Sequence, residues 1–214
     1  MRPQPSHCLA IMLDDQKELL KHIAKIQELV AWQFPELTEA LIPLEKLHLT
    51  LHVMKLKDAS EIKKVKKCMK KAADEHSSRG GFALQCGYNI NLTPDIVALG
   101  VLSVHLLDEY LEELHNSLKI YIGKQDVECF DYGFVPFKPH ITILNLRLIK
   151  GNSEVHRSLM RQLSEHPWLK QVREFDVESI HLFSIAKGDR HSPRYKEECC
   201  AYLQGGETSS DSSE

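Results

Sequence analysis

Apolar and polar residues alternate with period two through "LHLTLHVMKL" (residues 47 to 56) and again through "FKPHITILNL" (137 to 146). That is the pattern of half-buried strands. Residues 7 to 13 read as a further strand. Asp14 or Asp15 can cap a helix reaching about Trp32, with Leu19, Ile23, Ile26 and Val30 on one face. Asp58, with Glu61 three residues later, forms a capping box ahead of a second helix whose buried stripe is Ile62, Val65, Met69 and Ala72. Gly80 and Gly81 close that unit. Residues 82 to 90 and 96 to 102 read as a hairpin around "NLTPD", where Pro94 suits a turn. Leu107, Leu111, Leu114 and Leu118 predict a helix over 105 to 122, and 153 to 165 predicts another. "FDVESIHLFSIAKG" (175 to 188) reads as one strand and 195 to 203 as an edge strand. The ending "GGETSSDSSE" (205 to 214) has the composition of a disordered acidic tail, which leaves 1 to 204 as a single bilobal domain.

Laid side by side, the two halves form an imperfect repeat of strand, helix and strand. Each half holds one His-x-Thr inside an aliphatic run, and the two copies lie 92 residues apart. Duplication of a lobe is the expectation. On a strand, residues two apart share a face, so His48 and Thr50 point one way while Leu49 and Leu51 point the other. His140 and Thr142 repeat this, with Ile141 and Ile143 opposite. Lobes that face each other bring two imidazoles and two hydroxyls to one groove.

Such a groove suits a phosphodiester. A neutral imidazole takes a proton from the attacking hydroxyl or water, an imidazolium delivers one to the leaving oxygen, and threonine hydroxyls donate to the non-bridging oxygens. Histidine serves both roles because its unperturbed pKa, about 6.5, lies near working pH. No metal or other cofactor is required. A lone His-x-Thr is usually a satisfied polar site at a strand end; two copies in matching places carry the functional reading.

"LHLTLHVM" and "FKPHITIL" resemble the paired signatures of the two-histidine (2H) phosphoesterase superfamily. Phe137-Lys138-Pro139 before the second histidine is most similar to the nuclear-localisation-type domain of A-kinase anchoring proteins and its leukocyte-receptor-cluster relative. The resemblance covers "MRPQPSHCLAIML" to "SIHLFSIAKG". It implies an α+β, bilobal 2H phosphoesterase-like fold, with two pseudo-symmetric lobes of antiparallel strands, helices outside and a central cleft. It implies catalysis by His48, Thr50, His140 and Thr142, without a cofactor, on 2′-linked phosphodiesters of nucleotides or RNA ends, of the 2′,3′-cyclic phosphate or 2′,5′-oligoadenylate type. The alternative is a module that binds nucleoside monophosphates with little turnover and also anchors a protein partner through an amphipathic helix. His52 departs from the family, which commonly has an aliphatic residue there; on a regular strand it shares the face of His48 and Thr50.

Composition narrows the partners. With 27 Lys and Arg against 30 Asp and Glu, the net charge is −3 and the pI about 6.5, so a polyanion has to be met in a local pocket. Lys138 is placed to reach a phosphate, and Phe134, Phe137 or Tyr195, with Arg194 beside the last, to stack on a base. The lysines at 63, 64, 66, 67, 70 and 71 read as the solvated face of the second helix. His48 and His52 have a helical metal-ligand spacing, but the run is a strand and no carboxylate or cysteine completes a set. Six scattered cysteines without a C-x-x-C pair suit reduced thiols in the cytoplasm or nucleus. The apolar run from Cys8 to Leu13 is too short for a signal peptide or a membrane span. A monomer without membrane association is the expectation.

Overall fold

The computed structural model describes residues 4–77, 82–89, 96–103, 109–130, 137–148, 167–185 and 194–203. Nine strands form one antiparallel sheet: β1 (His7–Met12), β2 (His48–Lys55), β3 (Phe82–Asn89), β4 (Ile96–Ser103), β5 (Glu128–Cys129), β6 (His140–Asn145), β7 (Arg173–Val177), β8 (Ser179–Ser184) and β9 (Lys196–Tyr202). The order is β7-β3-β4-β6-β2-β1-β8-β9, with β5 on the far end of β2. Among the described residues three α-helices, α1 (Lys17–Gln33), α2 (Ala59–His76) and α3 (Tyr110–Gly123), complete an α+β architecture. None of the described helices is long and apolar enough to cross a membrane.

Four strands lie on each side of the β6/β2 junction, giving the two pseudo-symmetric lobes. They are not the two halves of the sequence. The lobe of β2 and β1 is finished by β8 and β9 from the far end of the chain, while β7 joins β3, β4 and β6. "FDVESIHLFS" therefore spans two strands in different lobes, divided at Glu178. Both segments alternate, and the phase slips between them: Phe175 and Val177 are followed by Ile180 and Leu182, with Glu178 and Ser179 polar in succession. The lobes are joined by the pair Leu49↔Ile141, both fully buried. Beside that pair, the Ile42 N–H donates to the Ile143 carbonyl at 3.0 Å and Gln27 Nε2 donates to the Ile42 carbonyl at 2.6 Å.

The helical stripes bury as their spacing predicts. Leu19, Ile23, Ile26 and Val30 of α1 and Val65, Met69 and Ala72 of α2 all enter the core, which supplies most of the stability of amphipathic helices. Neither Asp14 nor Asp15 caps α1. The chain turns there, with the Gln16 N–H on the Leu13 carbonyl, and Gln16 precedes the helix without a side-chain cap. For α2, Asp58 Oδ1 accepts from the Glu61 N–H at 2.9 Å, while Glu61 reaches back to the N–H of Lys57, one residue further than a capping box. Ile62 is only half-buried. Five of the six α2 lysines are exposed and Lys66 is half-buried, on a helix packed against α3, β8 and β9. The described part of the third predicted helix begins at Tyr110; Leu107, the hairpin turn at 90–95, the helix at 153–165 and the tail at 205–214 lie outside the described residues.

A bulge in β3 at Gly87 gives a test of packing. Its φ is +156°, and a Cβ there would sit 2.4 Å from Val172 Cα and 2.6 Å from the Gln171 carbonyl oxygen. Both are backbone atoms, which cannot swing aside. Gly87→Ala should cost about 1–3 kcal/mol, read as a lowered midpoint in denaturant; an unchanged midpoint would show that β7 withdraws freely.

Candidate active site

The junction between lobes places the two His-x-Thr segments side by side. With Leu49 opposite Ile141 in an antiparallel register, His48 stands across from Thr142 and Thr50 across from His140. All four leave the face opposite the buried Leu49 and Ile141. His48 and His140 are close enough for the charge of one to oppose protonation of the other.

Each histidine is held in the same way. His48 Nδ1 is 2.7 Å from the Lys46 carbonyl oxygen, and His140 Nδ1 is 2.7 Å from the Lys138 carbonyl oxygen. A carbonyl only accepts, so each Nδ1 carries the proton and each Nε2 is left to the cleft as acceptor. The sequence holds a signal for this that the period-two reading overlooks: lysine precedes each histidine by two, so the repeated unit is Lys-x-His-x-Thr. Burial lowers both histidines below the ordinary imidazole value of 6.5 against the raising effect of these bonds, and His140 lowers His48 further.

A wall on the β8 side encloses His48. Phe183 and Tyr195 stack on each other at 4.5 Å and meet His48 edge-on at 5.2 and 5.7 Å. The Lys46 ammonium lies 5.2 Å above the Tyr195 ring. Burial pushes the Tyr195 phenol up to about 12, so it stays a protonated donor. Behind Thr50, the Cys8 thiol lies 3.9 Å from Oγ1 and burial raises it to about 12, so Cys8 packs as a neutral thiol. A cavity of about 300 Å³ continues outward, lined among others by Met12, Glu45, Phe183, Arg194 and Tyr195. Tyr195, whose placement the sequence alone does not give, stands beside His48, and Arg194 lines the cavity with it, while Phe183 was missed because it reads as an ordinary apolar strand position.

His52 is not in the cleft. Ala10 pairs with Thr50 and Leu9 with His52, so Leu51 is an extra residue and β2 bulges there. The bulge turns His52 to the helical side, where it is 2% exposed and its Nε2 donates to the His115 carbonyl of α3 at 3.0 Å. The same displacement keeps His48 and His52 from meeting one metal ion. Among the described residues no group of three or more His, Cys, Asp or Glu is arranged to hold one. β6 bulges at the matching place: Ala98 pairs with Thr142 and Val97 with Leu144, leaving Ile143 over. One face of the Phe137 ring lies flat on His115, 4.0 Å between centroids. Lys138 is exposed and contributes its carbonyl to His140. Phe134 lies outside the described residues.

A single antiparallel sheet in two pseudo-symmetric lobes, with one His-x-Thr strand from each at the junction, is the architecture of a two-histidine phosphoesterase. Residues 5–199 match the family model described as the AKAP7 2'5' RNA ligase-like domain, and the chain belongs to that family. Among solved structures, E. coli LigT complexed with phosphate is 20% identical, with a TM-score of 0.53 over 94% of this chain and 98% of that one. TT0787 of Thermus thermophilus is 15% identical, with a TM-score of 0.63 over 94% and 100%. The MHV ns2 PDE domain is 12% identical, with a TM-score of 0.59 over 85% and 100%. These similarities establish the shared fold. No curated protein sequence gives a significant match.

Proposed function

We propose that the protein is a phosphodiesterase that hydrolyses 2′-linked phosphodiesters of nucleotides or RNA by a two-histidine acid/base mechanism without a metal. The observation that carries this reading is the pair of imidazoles at one strand junction, each with Nδ1 bonded to a main-chain carbonyl, of Lys46 or Lys138, so that Nε2 is the nitrogen left for a substrate. LigT has been solved with 3′-AMP, ATP and NADP+, and another relative of the fold is described as a PDE domain, which supports a nucleotide substrate.

His48, enclosed by Phe183 and Tyr195 and further lowered by His140, stays neutral and takes the proton of the attacking water or hydroxyl on Nε2. His140, as imidazolium, donates from Nε2 to the leaving oxygen. Its partner at Nδ1, the Lys138 carbonyl, stabilises that cation. Thr50 and Thr142 donate to the non-bridging oxygens as charge builds on them.

The working form holds one proton between the two rings. Both rings are lowered from 6.5 by burial, so the singly protonated pair is most populated between two apparent values displaced to the acid side. The bell-shaped profile of kcat/KM, measured on 2′,3′-cyclic and 2′,5′-linked substrates, should therefore peak below about pH 6.5 and survive a chelator. A peak above about pH 7.5, or loss with EDTA and rescue by Zn²⁺, contradicts this assignment. A protein that binds nucleoside monophosphates yet turns over none of the substrates would instead be a binding module.

A further inference from the structure

The two cleft histidines are held by identical bonds on different supports. At His48 the accepting carbonyl belongs to Lys46, the last residue of a 3₁₀ turn over Leu44–Lys46; Lys46 N–H bonds the Pro43 carbonyl at 2.9 Å and Leu47 N–H the Leu44 carbonyl at 3.2 Å. The turn itself aims that carbonyl. At His140 the accepting Lys138 lies in the extended run Phe137-Lys138-Pro139 and is exposed. On one side of it, the Val101 N–H of β4 holds the Pro139 carbonyl at 3.0 Å. On the other side is the ring of Phe137.

That ring is the end of a column. Phe137 stacks on His115 at 4.0 Å and 6°, and His115 stacks on His52 at 4.4 Å and 7°. His52 also donates from Nε2 to the His115 carbonyl at 3.0 Å, tying the foot of the column to α3. The β2 bulge at Leu51 is what turns His52 to this side. Three flat rings thus connect the bulged strand, α3 and the residue next to Lys138. Stacked flat rings prefer a defined offset geometry over other arrangements.

We propose that His52, His115 and Phe137 are positioning residues for His140: the ring column sets the Lys138 carbonyl that keeps the His140 proton on Nδ1 and its Nε2 toward the cleft. This rests on the acid/base reading above for its consequence, but not for its physical test. With the carbonyl displaced, His140 would populate both tautomers and turn, and a misplaced proton donor would lower turnover with little effect on substrate affinity. His48, aimed by its own turn, is unaffected and serves as an internal reference.

The experiment compares the full chain with His115→Ala, His115→Phe and Phe137→Ala, reading the imidazole nitrogen shifts of His140 and His48 at neutral pH and then steady-state kinetics on the same panel of 2′-linked substrates. The Nδ1–H form should dominate at both histidines in the full chain and in His115→Phe, which restores a flat ring. In His115→Ala and Phe137→Ala the His140 signals should shift toward a tautomer mixture while those of His48 stay. In parallel, kcat should fall about 10–100-fold with KM changed by less than about threefold. Folded alanine variants with unchanged His140 signals, or with His48 and His140 altered together, overturn the proposal. Should His115→Ala fail to fold, Phe137→Ala, at the partly exposed end of the column, decides alone. For a protein that proves to turn over nothing, the nitrogen shifts alone decide, so failure of the column is distinguishable from failure of the enzymatic reading.

Discussion

His48→Ala and His140→Ala should each lower the turnover number by about 10²–10⁴, and the double variant should be little slower than the poorer single one. The expectation follows from one proton shared by two rings. Without the His48 base the attacking oxygen keeps its proton, and without the His140 acid the leaving oxygen departs as an anion; either loss disables the same step. Thr50 and Thr142 stand across the strands from the two imidazoles, so each alanine variant still holds a phosphate between hydroxyl donors and should bind substrate. Single-turnover measurements on the three variants check both parts. A double variant whose loss equals the product of the single losses would mean that the rings act independently.

Leu49→Ala and Ile141→Ala should each destabilise the protein by about 2–5 kcal/mol, the largest stability effects expected at this site. These residues lie on the same strands as the histidines and face the other way, fully buried, and they are the pair through which β2 and β6 meet. Truncating one leaves a cavity at the joint between lobes, where few backbone pairs hold the sheet together. The histidine variants, by contrast, should lose about 1 kcal/mol or less, because each ring is only half-buried and gives up a single hydrogen bond to a main-chain carbonyl. Denaturant unfolding of the four proteins separates the two faces, and histidine variants that unfold as easily as the aliphatic ones would assign His48 and His140 to packing.

The strands and the face that carries both His-x-Thr copies were legible because period two is a strong signal and His-x-Thr occurs twice in it. The stripes of α1 and α2 were legible for the corresponding helical reason. What the pattern concealed were events of single residues. A bulge at Leu51 adds one residue and reverses the face of everything after it, and neither leucine nor the histidine that follows marks the place. The break at Glu178 shows only as a slip of phase at the polar pair Glu178-Ser179, which a bulge within one long strand would also give. The anchors of the cleft histidines are main-chain carbonyls, for which side-chain identity carries little information, although the lysine two residues before each histidine was a trace of them.

The sheet order has a consequence for how the molecule comes into being. β1 is bounded by β2 on one side and by β8 on the other, so its second edge is filled by residues some 170 positions later in the chain. During synthesis β1 and β2 emerge well before the strands that cover them and before the Phe183 and Tyr195 that enclose His48. Closing so long a loop costs entropy before any contact repays it, and it slows folding. Until then β1 keeps one unpaired edge, the kind of feature that lets chains associate before folding is complete.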